Sequence, residues 1–384
     1  MNADPIVVAG GGYAGFWAAM AARRIAGPEQ PIRMVSRDPI LQMRPRLYEA
    51  APETLGIDLR PLLDRTGIDF QAGEATAIAD NTLVLSTGER IPYARLVVAT
   101  GSQLRRPPIP GADRAYSIDT QSDAIAFDRR LAEIARTTAA PRLAVIGAGF
   151  TGIELALELR DRLALYSDAV LGERLEILLV DAAPELGPEL GPGPRPVIAD
   201  AMAQARVILR LGARLARIDP AGLAFTDGTT WPADAVVLTT GMVAAPFTAQ
   251  IPGHRDTLGR ITVETFLRAP AAPTVFVTGD AAAADTGTGQ IAVQSCQHAL
   301  TMGRFAGANA ARDLLGQPLV PYSQPRYGNC LDLGRFGAVR TQGWDRTVIA
   351  AGLEAKTVKR HINTVVIYPP AEATGQELLV LAEV

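Results

Sequence analysis

Two glycine runs hold the residues of this chain whose types and spacing could do specific chemistry: Gly10-x-Gly12-x-x-Gly15 and Gly147-x-Gly149-x-x-Gly152. Each follows a short apolar run, Ile6–Ala9 or Leu143–Ile146, and opens a stretch of helical character. Between a strand and a helix this spacing has a mechanical meaning. The first glycine allows a tight turn, the second lets the backbone approach a pyrophosphate, and the third admits close packing of helix on strand. The N–H groups at the helix start, with the positive end of the helix dipole, suit the phosphates. Tyr13 and Ala14 in the first run, and Phe150 and Thr151 in the second, stand at that helix start. One such run is a weak pattern, but two in order on one chain point to two bound dinucleotides. An acidic residue about 20 residues further on usually holds the adenosine ribose. After the first run the next strand ends in Ser36-Arg37-Asp38, so either Ser36 or Asp38 takes that role. After the second it ends in Asp181, whose carboxylate would accept a bond from a free 2′-OH and repel a 2′-phosphate. That favours NADH over NADPH.

Positioning two such turns takes two βαβ units, and the chain reads as one plan used twice. The first half predicts strand Ile6–Ala9, a helix to about Ile25 and a strand Ile32–Val35. Short β-favouring runs follow (Asp69–Ala72, Ala75–Ala79, Leu83–Leu85, Leu96–Ala99), with a hairpin turn at Thr87-Gly88-Glu89. After the stiff segment Arg105–Gly111 the plan returns. The second half predicts strand Leu143–Ile146, a helix to about Leu163, a strand Leu175–Val180, a helix from about Val197 and a hairpin over Phe225–Trp231. Strand Ala235–Leu238 then runs to Thr240-Gly241. Beyond it come a strand Thr274–Val277 ending in Thr278-Gly279-Asp280 and a long helix over Ile291–Leu315. The last stretch, 318–384, offers strand candidates Gly337–Val339 and Thr364–Ile367 and no strong helix. It is either a third domain or a coat on the first two.

Composition narrows the classes. The 384 residues suffice for two or three folding units and are 48% hydrophobic and 20% charged, as in globular proteins. A net charge of −3 without a basic block argues against a nucleic-acid binder. Cys296 and Cys330 cannot make a disulfide framework, a four-thiolate metal site or a C-x-x-C pair, and no metal site is expected. The longest uncharged stretch, Ala235–Gly253, carries Pro246, Pro252 and Gly241, so it reads as a strand running into a loop, not a membrane span. With no charged n-region before Ile6, the expected location is cytoplasmic.

Four ordered landmarks carry a family resemblance: Gly10–Gly15, Val97-Val98-Ala99-Thr100-Gly101, Gly147–Gly152 and Thr278-Gly279-Asp280. Over roughly residues 5–315 the chain resembles the two-dinucleotide-binding-domain flavoproteins, the pyridine nucleotide–disulfide oxidoreductase superfamily. Within it, the two glycine turns and Pro45–Ala50 are most similar to type II NADH dehydrogenases, which pass electrons from NADH through FAD to a quinone. The resemblance implies an α/β fold of two Rossmann-like domains, the NADH domain inserted in the FAD domain. Residues 1–112 and 266–320 would form the FAD domain, 113–265 the NADH domain, and 321–384 a C-terminal segment over an interface or the flavin.

It further implies FAD contacts at the first run, Ser36, Arg37, Arg46, Thr100, Gly101, Gly279 and Asp280, and NADH contacts at the second run, Asp181 and Gly241. Glu154 matches a family glutamate near the flavin–nicotinamide contact, or else supports the helix dipole. Gln290-Ile291-Ala292-Val293-Gln294 matches the family's acceptor-side motif, which implies cofactor contacts at Gln290, Ile291 and Ala292 and a catalytic Gln294, whereas the following Ser295–His298 departs from it. On the expected helix, Gln290, Gln294, Gln297, His298 and Thr301 share a face that either lines an acceptor pocket or is solvated. His298 either donates a proton to the acceptor or is structural. The partner implied is a small electron acceptor, a quinone first. A specific metabolite and a ferredoxin- or rubredoxin-type protein are the alternatives, and the last alternative is a non-enzymatic, redox-dependent interaction protein marked by slow turnover and a long-lived NADH complex. A homodimer is the expected assembly. The C-terminal segment lacks the basic amphipathic stripe of membrane-bound relatives, so at most weak membrane contact is expected.

Overall fold

A computed structural model describes residues 4–384. Its two main sheets are built on the same plan. The first has six strands in the order Arg268–Ala269, Ala272–Val277, Arg95–Val98, Ile6–Ala9, Ile32–Ser36, Asp69–Ala72. All neighbours are parallel except the outermost pair, Arg268–Ala269 with Ala272–Val277. The second has five strands, all parallel, in the order Tyr116–Ser117, Ala235–Leu238, Arg142–Ile146, Glu176–Val180, Val207–Arg210. Their continuous Val/Ile/Leu runs are buried along most of their length, as parallel strands covered on both faces must be. In each sheet the glycine turn leaves the carboxyl end of an interior strand, where the strand order reverses and ligands of open α/β sheets bind. A small antiparallel sheet accompanies each: Ala75–Ala79, Thr82–Leu85 and Arg90–Pro92 in the first half, Leu215–Asp219, Gly222–Phe225 and Thr230–Pro232 in the second. Both expected hairpins are present. The two segments that join the halves pair with each other, Ser102–Leu104 antiparallel to Met242–Ala244.

Helix Tyr13–Ala26 lies along helix Cys296–Leu314 at very short range. A Cβ on Gly307 would stand 1.9 Å from the Ala18 carbonyl oxygen, so only glycine allows that approach. The helix expected from Ile291 begins instead at Cys296. Ser295 is its N-cap, its hydroxyl accepting the His298 N–H at 3.3 Å. Residues 284–292 fold back as a hairpin before it: Ala292 N–H donates to Ala284 at 2.9 Å, and Asp285 bridges Ile291. Gln290 and Gln294 therefore do not share a helix face with Gln297, His298 and Thr301.

The C-terminal segment also differs from expectation. It contains a three-stranded antiparallel sheet (Gly328–Asp332, Ala338–Gln342, Thr347–Ala351), a helix Gly352–His361, a π-type turn Ile362–Val366 and a helix Gly375–Leu381. Thr364–Ile367, expected as a strand, continues the preceding helix. Glu377, in a stretch read as holding no strong helix, closes a reciprocal cap with Thr374 that starts a helix. The helix Gln121–Thr137, which had no counterpart in the sequence reading, starts at the Thr120 cap. Among the described residues, no helix is long and apolar enough to cross a membrane.

Candidate active site

The first glycine turn is shaped by hard contacts. Gly10 has φ +124°, and a Cβ there would lie 2.2 Å from the Ala99 carbonyl oxygen. Gly12 is the reverse: a Cβ would meet nothing within 4 Å. Helix Tyr13–Ala26 begins there with no side chain capping it, so its N-terminal N–H groups face an unobstructed cradle. Beside the cradle, Thr100 and Thr278 bury hydroxyls that have no partner among the described residues. An open cradle, a bare helix N-terminus and two orphaned hydroxyls fit a dinucleotide such as FAD. Ser36 Oγ stands 2.8 Å from the Cβ position of Gly11, whereas Asp38 turns away to accept the Ile40 N–H at 3.0 Å. Ser36, not Asp38, is therefore the strand-end residue at the turn. Arg37 is exposed. Tyr13 is buried, its hydroxyl 3.2 Å from Met43 Sδ.

Asp280 joins this turn to the segment 290–294. Its Oδ2 accepts the Ser102 hydroxyl at 2.6 Å, and its carbonyl accepts the Gln294 amide at 3.2 Å. Arg44 ties Ser102 to Asp119, which it meets at 2.5 Å. Arg46 is held by Glu49 and by the Tyr368 hydroxyl at 2.6 Å, linking the first half to the C-terminal segment. Gln290 and Ile291 are exposed and Ala292 is buried.

The second turn repeats the backbone of the first, with Gly147 at φ +112° and its Cβ position 2.3 Å from the Thr239 carbonyl oxygen. Here, however, acids lie on the turn. Asp181 Oδ2 accepts the Ala148 N–H at 2.7 Å, and Glu189 Oε1 accepts the Phe150 N–H at 2.8 Å. Thr151 is exposed at the helix start. Gly241 sits at φ +81°, and its carbonyl accepts the Arg105 N–H at 2.9 Å.

Two residues past Gly152, Glu154 enters a buried cluster. Its Oε1 meets Lys359 Nζ at 2.8 Å and accepts the Asp332 N–H at 2.9 Å. It lies beyond the first turn of helix Phe150–Ala164 and not at the helix start that the dipole reading needs. Lys356, one turn before Lys359, pairs with Asp332 and stands 3.8 Å from Glu158. Tyr48 donates to Asp332 at 3.1 Å, and Asn363 donates to the Tyr48 hydroxyl and to Glu49. Burial pushes the Glu154 carboxyl up to about 7 against the pull of Lys359. Glu158 is likewise raised to about 7, by burial and then by Asp332.

His298 is buried in a stack of near-parallel rings, 5.2 Å from Tyr327 and 6.0 Å from Trp344, with the Arg346 guanidinium 4.3 Å over Tyr327. Its Nδ1 meets the Tyr322 hydroxyl at 3.3 Å, and its Nε2 has no partner. Burial lowers it to about 4, so the ring is neutral at neutral pH. Cys296 and Cys330 are free, and burial pushes each thiol up to about 11. Neither is poised as a nucleophile.

Residues 4–303 match the family model described as pyridine nucleotide-disulphide oxidoreductase. The chain belongs to this family. An NADH dehydrogenase-like protein of Mycobacterium tuberculosis is 40% identical over 389 residues, covering 98% of this chain and 97% of that protein. Demethylphylloquinone reductase of Synechocystis is 27% identical, covering 87% and 85%. Among solved structures, the sulfide:quinone oxidoreductase of Aquifex aeolicus has the same fold, with a TM-score of 0.76, 20% identity and coverage of 94% and 90%. The chain is thus an NAD(P)H-dependent flavin oxidoreductase of a family that uses FAD and NADH. It carries the family's nucleotide turns without a dithiol.

The sequence reading named Glu154 but missed Lys356, Lys359, Asp332, Glu158 and Glu189. A signal existed for two of them: Lys356 and Lys359 are the only lysines among 37 basic residues, and they stand three apart, on one side of a helix.

Proposed function

We propose that the chain is a type II NADH dehydrogenase-like enzyme whose acceptor is a quinone. In this reading residues 1–112 and 266–320 hold FAD through the Gly10 turn, Ser36, Thr100, Gly101, Gly279 and Asp280. Residues 113–265 hold NADH through the Gly147 turn, Asp181 and Gly241. Bound FAD supplies the two-electron carrier between NADH and the acceptor.

The observation that carries the reading is the buried carboxyl of Glu154 on helix Phe150–Ala164, held through Oε1 by Lys359 and the Asp332 N–H, where burial raises it to about 7. Quinone reduction, NADH + H⁺ + Q → NAD⁺ + QH₂, takes one proton from solvent in each turnover. Both bonds to Glu154 fall on Oε1, so Oε2 is the atom that holds and releases that proton. Glu158 and Lys356, each 21% exposed against 3% for Glu154, lead outward from it. Gln294, tied to Asp280, fixes the acceptor-side segment beside the first turn. His298, buried and neutral, leaves the proton to Glu154. The Synechocystis relative, named for reduction of a quinone, supports the same acceptor class.

The test is anaerobic. NADH should bleach the yellow holoprotein, and a short-chain quinone should restore the colour at a catalytic rate. Fast bleaching with slow recovery would overturn the quinone assignment and direct the search to ferredoxin-type proteins or metabolites. Absence of bleaching by NADH and NADPH would overturn the assignment of the second turn.

A further inference from the structure

We infer that Glu189 is a built-in competitor for the nucleotide pyrophosphate, and so an affinity-setting residue of the NADH site. The inference rests on assigning NADH to the Gly147 turn. Glu189 Oε1 accepts the Phe150 N–H at 2.8 Å, at the first residue of helix Phe150–Ala164. The same atom lies 2.6 Å from the Cβ position of Gly149, the glycine whose bare Cα lets a pyrophosphate approach. A carboxylate there satisfies the donors and the dipole that a phosphate would satisfy. The two cannot share one N–H.

The loop that carries Glu189 is docked onto the turn. Gly187 N–H donates to the Ala148 carbonyl at 3.0 Å, Arg195 pairs with Glu185 at 2.6 Å, and Arg195 also donates to the Leu186 carbonyl. The Pro188–Leu190 turn then projects Glu189 at the helix start. The first glycine turn is the internal control: it has the same backbone, and nothing lies within 4 Å of the Gly12 Cβ position. Glu189 is itself exposed, so the contact is weak enough for a dianionic pyrophosphate to displace it. Displacement leaves the carboxylate near the phosphates as a like charge, which weakens binding of NADH and of the product NAD⁺ alike.

Calorimetric titration of the flavin-loaded protein with NAD⁺ and with ADP-ribose, neither of which reduces the flavin, tests the inference. Glu189→Ala should tighten both by about threefold to tenfold, the scale of one charge at a helix N-terminus. Glu189→Gln, which keeps an acceptor oxygen and loses the charge, should fall between it and the parent. Circular dichroism and flavin content confirm that the variants fold. Unchanged or weaker binding in Glu189→Ala, with the parent protein binding normally, would overturn the inference alone. If the parent bound neither ligand, the assignment of the Gly147 turn would fall with it.

Discussion

At the first glycine turn a side chain at Gly12 would meet open space, and at the second a side chain at Gly149 would meet Glu189 at 2.6 Å. Two residues past the last glycine of each turn the contrast recurs in another form. Trp17 lies there in the first helix with the Arg304 guanidinium 4.2 Å over its ring, and Glu154 lies there in the second with Lys359 at 2.8 Å. Both slots bury a cation's partner from a distant helix, but only one partner can hold a proton. One backbone device has thus been given two surroundings. The first suits a cofactor that stays, with an open cradle and a neutral aromatic neighbour. The second, with an acid on the turn and a titratable neighbour, is the surrounding expected of the proposed NADH site.

Backbone substitutions should separate the two turns most sharply. Gly10→Ala and Gly147→Ala each put a Cβ within 2.3 Å of a carbonyl oxygen at a positive φ. Gly10→Ala should cost more than tenfold in flavin content. Gly147→Ala should keep its flavin and lose NADH bleaching by a similar factor, and a reversal of these two phenotypes would exchange the assignments. Next in size, Lys359→Met leaves Glu154 buried without its cation and should destabilise the fold by roughly 3–5 kcal/mol in a urea melt, whereas Lys359→Arg should recover part of that loss.

Titration gives the third effect. Glu154 and Glu158 sit near 7 in the fold against an ordinary 4.5. The folded state therefore holds protons that the unfolded chain has released. Their contribution to stability is complete below about 4.5 and is lost as pH rises through 7. His298, lowered from 6.5 to about 4, acts in the opposite direction, and its contribution is lost as pH falls through that window. Tm should thus decline from pH 5 to pH 8. Glu158→Gln should remove part of that decline, on the order of 2 kcal/mol, and an unchanged slope would mean that Glu158 is not among the groups responsible. The smallest effect belongs to the first turn: Arg304→Met removes the cation over Trp17 and should cost about 1 kcal/mol or less, with flavin content unchanged.

Much of this was legible in the chain itself. Glycine spacing, the apolar strands before each turn and the repeated order of elements follow from local rules, and the turns formed where the residues placed them. The segment from Gln290 was misread because helical spacing from Gln290 to Thr301 looks continuous. The Ser295 cap, worth about 1 kcal/mol, starts the helix only at Cys296, while the hairpin before it is held by a bridge that periodicity does not register. The C-terminal helix was missed for a related reason. Helix Gly352–His361 holds good helix formers, but its 10 residues are too few to persist alone, and packing against the sheet before it and against the Glu154 cluster is what stabilises it.

The sequence by itself determined the two glycine turns, because they depend on the absence of side chains at fixed spacing, which is local. Only the tertiary structure decided what faces those turns. Glu189 comes from a loop 40 residues beyond Gly149, and Lys359 from a helix 205 residues beyond Glu154. Whether a charge competes with a phosphate, or a carboxyl keeps its proton at neutral pH, depends on contacts and burial that no local spacing encodes.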